Sequence, residues 1–120
     1  MSSSASNPSP RLRRRTLKIE FLWFQDCPNH QQAREVLRSV LQERGISEAF
    51  EDIDATDPNV AAKHRFPGSP TVRVNGEDIE PGFQDPGDYT PRCRLYLVDA
   101  AFQGAPPRRW IEDALETTDA

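Results

Sequence analysis

Residues 17–30 read LKIEFLWFQDCPNH, and the fold turns on this stretch. Leu17, Ile19, Phe21 and Trp23 alternate onto one face, while Leu22 and Phe24 make the other face apolar toward the end of the segment. A strand that is apolar on both sides belongs in the middle of a sheet covered on both faces. After Asp26, Cys27 and Pro28 the period changes. Ala33, Val36, Leu37, Val40 and Leu41 recur at helical spacing, and Gly45 supplies a stop. The sequence therefore predicts a strand running into an amphipathic helix of about four turns, with Cys27 at the junction.

Downstream, Ala49 to Asp54 reads as a short strand. Asp57-Pro58 is a helix-start signal, the Asp side chain capping and the proline occupying the first helical position, and a short helix through Arg65 follows. Pro67 and Gly68 end it. Thr71 to Val74 reads as a strand, Asn75-Gly76 as a tight hairpin turn and Asp78 to Glu80 as the returning strand, closed by Pro81-Gly82. Residues 83–91 are loop-like, Cys93 to Val98 is extended, and Ala105 to Pro107 is a stop. Trp110, Ile111, Ala114 and Leu115 form the stripe of a last helix. This order implies an α/β fold over residues 17–117: a mixed four-stranded sheet flanked by helices, with Leu17 to Phe24 central and Thr71 to Val74 beside it.

Composition sets the outer limits. The 120 residues are 36% hydrophobic and 28% charged, with a net charge of -4, and no apolar run approaches the ~20 residues of a membrane span. Residues 1–16 hold Arg11, Arg13, Arg14 and Arg15 without an acid, which leaves 11 basic against 19 acidic residues in the remainder. An acidic body argues against nucleic acid as a partner, and the basic tail over residues 1–16 is expected to be solvated and disordered. Two cysteines without a visible secretion signal point to a reducing, cytoplasmic setting with free thiols. Neither a cofactor nor a membrane partner is expected. The two histidines and two cysteines do not have the spacing of a structural zinc site, so no metal site is assigned.

The chemistry-bearing residues cluster around the strand–helix junction. The unpaired amides at a helix start stabilise a thiolate, which makes Cys27 the candidate nucleophile and the thiol expected to alkylate first. The competing reading is a small buried hydrophobe. His30, one turn on, is a candidate partner for the thiolate or a proton carrier; it could equally be exposed. Asp26 reads as the helix cap, with proton donation as its other candidate role. His64, between Lys63 and Arg65, reads as solvated. Cys93 is either a second functional thiol or a core residue. The loop over residues 83–92, containing Gly87 and Pro91, is long enough to carry it back toward the first helix, where it would act as a resolving thiol.

A strand, Cys27-Pro28-Asn29-His30, a long helix and Ser69-Pro70-Thr71 opening a hairpin resemble the thioredoxin-like superfamily. The resemblance implies a thiol–disulfide oxidoreductase acting on a thiol or disulfide substrate. It makes Cys27 the attacking sulfur and Ser69-Pro70 a cis bond, with these two residues against a partner's backbone. The pattern departs where His30 replaces a second cysteine, so dithiol exchange within that motif is impossible. The run from Phe66 to Asn75, the Glu80-Pro81-Gly82 step, Cys93-Arg94-Leu95-Tyr96 and Gly104-Ala105-Pro106 are similar to a group of small bacterial thioredoxin-like proteins, some labelled alkylmercury lyase. That label implies two cysteines and an aspartate cleaving a carbon–mercury bond, for which Asp26, Cys27 and Cys93 are the residue types at hand. The third reading is a non-catalytic thioredoxin-like module.

Overall fold

The computed structural model describes residues 17–46 and 50–119. The expected basic tail over residues 1–16 lies outside them, as does Ala49, the expected start of the second strand. Strand β1 (Ile19–Trp23) runs into helix α1 (His30–Glu43), followed by β2 (Glu51–Asp54), helix α2 (Pro58–Lys63) and the hairpin β3 (Thr71–Val74) and β4 (Glu77–Asp78). A second hairpin, β5 (Tyr96–Val98) and β6 (Ala101–Gln103), precedes helix α3 (Arg108–Asp119). The main sheet is mixed and four-stranded in the order β2-β1-β3-β4, with β1 parallel to β2 and antiparallel to β3. This is the α/β arrangement the sequence pattern predicts, with the first strand inside and the Thr71 strand next to it.

The two apolar faces of β1 feed two cores. Ile19 and Phe21 pack with Leu37, Val40 and Leu41 of α1 and with Trp110, Ile111 and Leu115 of α3. Leu22 faces the other way, into a smaller cluster with Ala55, Ala61 and Phe66 under α2. Burial on both sides explains why this strand alternates less strictly than an edge strand would.

Local signals act where they were expected. Asp57 accepts a hydrogen bond from the Asn59 amide at 2.8 Å and Pro58 opens α2. Asn75 and Gly76 both hold positive φ, 52° and 84°, which is the conformation a two-residue hairpin demands. The returning strand is shorter than expected and lies two residues around Glu77 and Asp78, in register with Val74 and Arg73. Helix α1 starts later than the sequence suggests. Asn29 is its N-cap position and carries no side-chain cap bond, so Asp26 is not the helix cap. The Cys27 amide instead closes a turn onto the Phe24 carbonyl at 3.0 Å, and this turn delays the helix. The β5–β6 hairpin has no turn signature in the sequence: its turn residues Asp99 and Ala100 sit at φ 51° and 69° without a glycine.

Candidate functional site

The site forms where three segments meet: the β1–α1 turn, the loop before β3 and the extended run after residue 91. The Ser69–Pro70 peptide is cis, and both residues are buried. Residues 92–94 run parallel to this loop. The Ser69 amide donates to the Arg92 carbonyl at 2.8 Å and the Arg94 amide donates to the Ser69 carbonyl at 2.9 Å, so Cys93 pairs with Ser69 as an isolated bridge. The long loop over residues 83–92 thus returns Cys93 to the first helix.

That pairing sets the two thiols side by side. Cys27 is buried, with 1% of its surface exposed, and its thiol donates to the Ser69 carbonyl at 3.5 Å. Cys93 is exposed and pairs with the same Ser69 backbone that accepts from Cys27. Desolvation pushes the Cys93 pKa up, and the neighbouring Cys27 sulfur and the Asp26 carboxylate push it in the same direction. Asp26 and Cys27, adjacent in sequence, therefore both act on the distant Cys93.

Cys93 is held by its neighbour. Arg94 is buried, and its guanidinium donates to Asp78 through both nitrogens, at 2.8 and 3.0 Å, to Thr71 Oγ1 at 2.8 Å and to Glu80 at 2.8 Å. It also lies over the rings of Tyr96 and Phe83, 4.3 and 5.1 Å from their centroids. Burial by itself would lower the Arg94 pKa. The bonds to Asp78 and Glu80 and the charges around it more than reverse this, so the guanidinium is held charged. Tyr96, whose hydroxyl pKa is raised by burial, donates to the Pro70 carbonyl. Gly68, at φ 128°, lets the loop approach so closely that an added Cβ would stand 2.7 Å from Arg94 Cβ. Sequence reasoning overlooked Arg94 and Asp78, although a signal was present: Arg94 shares the phase of Tyr96 and Val98 and so points inward in an extended segment.

The other predicted residues fall elsewhere. The His30 ring stacks on Trp23 with centroids 4.6 Å apart, and Arg34 Nη1 lies 3.4 Å from its Nδ1. Desolvation and the Arg34 charge lower its pKa. The charges acting on Cys93 are those of Cys27 and Asp26, and His30 is engaged on the Trp23 side. Ser69 and Pro70, assigned to a partner's backbone by the resemblance, are enclosed, and the Ser69 backbone is already used by Arg92 and Arg94. The Ser69 hydroxyl is buried with no hydrogen-bond partner among the described residues. His64 is half-buried, and its carbonyl accepts from Arg73.

No family model and no curated protein matches the chain. Among the described residues, no helix is long and apolar enough to cross a membrane, and no group of three or more His, Cys, Asp or Glu side chains is placed to hold a metal ion.

Proposed function

We propose that the chain is a thioredoxin-like thiol–disulfide oxidoreductase in which Cys27 and Cys93 cycle between dithiol and disulfide. The observation that carries this reading is that both cysteines, 66 positions apart, meet at Ser69: its carbonyl accepts from the Cys27 thiol at 3.5 Å and its backbone pairs with Cys93. A thiolate at one position displaces a sulfur from a substrate disulfide, and the neighbouring thiol then resolves the mixed disulfide. The second thiol comes from the run after the loop rather than from the first turn of α1, which accounts for a histidine at position 30. The mixed sheet with helices on both faces and the cis Ser69–Pro70 bond support the thioredoxin-like assignment.

The reading is tested by air or diamide oxidation of the wild-type chain, digestion without reductant and mass spectrometry. The expected product is a Cys27–Cys93 peptide pair that disappears on incubation with reduced glutathione. Free thiols only, or intermolecular dimers only, would refute it.

The placement of Asp26 next to Cys27, at the corner where Cys27 and Cys93 meet Ser69, favours a second reading, protonolysis of an organomercurial by two cysteines and a carboxyl group. Release of methane from methylmercury by the wild-type chain but not by Asp26→Ala would support it. Equal rates in the two proteins would remove it.

A further inference from the structure

The sequence assigns first attack to Cys27, yet the two sulfurs are not equally reachable. Cys27 lies beneath the bridge between Ser69 and Cys93, almost wholly enclosed, and its thiol is spent on the Ser69 carbonyl. Cys93 faces outward from an alternating run in which Arg94, Tyr96 and Val98 are buried and Leu95 and Leu97 are exposed. Two backbone hydrogen bonds to Ser69 fix residues 92–94, and the buried Arg94 guanidinium fixes the residue next to the thiol. The order of the two sulfurs, one outside and one inside, is therefore built into the fold. They cannot exchange places without breaking those bonds.

We propose that Cys93 is the sulfur that meets the substrate disulfide and that Cys27 is the resolving thiol. This rests on the dithiol–disulfide reading above and reverses the roles within it. The thiolate of Cys93 attacks one sulfur of a substrate R–S–S–R′, the substrate S–S bond breaks, and R′–S⁻ leaves. The Cys27 sulfur, as thiolate, then attacks Cys93 Sγ, forming the Cys27–Cys93 bond and expelling R–S⁻. Two electrons pass from the dithiol to the substrate, and the two protons of the dithiol end on the released thiols. In the reverse direction an external thiol attacks the same exposed sulfur and expels Cys27.

The test uses oxidised glutathione as the probe on Cys27→Ser and Cys93→Ser, with the wild type in parallel. Cys27→Ser is expected to accumulate a glutathione adduct on Cys93 at least about ten-fold faster than Cys93→Ser acquires one on Cys27, because a buried thiol reacts only through local opening. Competitive iodoacetamide labelling of the reduced wild type, read by peptide mapping, needs no variant and should mark Cys93 first. Equal or faster modification of Cys27 in either assay would overturn the assignment. The two proposals fail separately. A wild type that forms no internal disulfide refutes the redox cycle, whereas a wild type that forms it while adducts collect on Cys27 refutes only the order of the thiols.

Discussion

Replacing Arg94 by Met removes the guanidinium while keeping an unbranched side chain in its place, and the structure sets the size of the effect. The Arg94 side chain is 7% exposed and that of Asp78 is 2% exposed, and each Asp78 oxygen accepts from one guanidinium nitrogen. After the substitution the only described donor left to the Asp78 carboxylate is the Glu80 amide at 2.9 Å. Breaking one partner out of a buried ion pair costs about 3–5 kcal/mol, since the remaining charge is left without compensation. A domain of this size has a total stability of roughly 5–15 kcal/mol, so the variant should fold but unfold at a much lower denaturant concentration. Urea unfolding at pH 7 reads this directly, with an unchanged slope showing that the same surface is exposed. Arg94→Met combined with Asp78→Asn removes the stranded charge and should recover a substantial part of the loss. A single variant that loses less than about 1 kcal/mol, or a double variant no more stable than the single, would refute the claim that this buried pair holds the Cys93 segment.

Closing the Cys27–Cys93 bond constrains an unfolded loop of 66 positions and should stabilise the fold by about 4 kcal/mol. Calorimetry with and without reductant should show the oxidised form melting about 15 °C higher, and an equal or lower Tm would show that the two thiols are not held in bonding geometry. Ser69→Ala removes the buried hydroxyl without a partner and should leave stability unchanged or raise it by about 1 kcal/mol; a clear loss in urea would mean that the hydroxyl has a partner after all. The His30 ring should titrate below 6.5 by NMR. Because burial and Arg34 depress its folded pKa, the stability linked to His30 is complete above pH 6.5 and is lost as pH falls through that lower value. A midpoint at or above 6.5 would contradict the environment described for the ring.

The parts of the fold that were legible in the sequence are those set by neighbours along the chain. The two-sided apolar pattern of residues 17–24 placed β1 inside the sheet, the three-and-four spacing from Ala33 to Leu41 gave α1, Asp57-Pro58 started α2, and Asn75-Gly76 turned the β3–β4 hairpin. Each depends on side-chain periodicity or on the φ angle that one residue tolerates, and both are local properties. Local signals also misled. Asp26 has the chemistry of a cap, but the Cys27 amide bonded to Phe24 starts the helix at His30, and the Asp99-Ala100 turn carries no glycine to mark it.

The candidate site divides along the same line. The sequence by itself determined that a cysteine stands between the first strand and the first helix, that a proline opens the β3 hairpin, and that the remaining thiol follows a long loop. Which of those groups meet was decided only by the tertiary structure. The Ser69–Cys93 bridge is made of backbone atoms, which every residue supplies, so no side-chain pattern announces it. The same bridge sets Cys27 inside and Cys93 outside, and the buried Arg94–Asp78 pair fixes that order. Burial is a property of everything packed around an atom, and for these two sulfurs the surroundings come from segments that lie far apart along the chain.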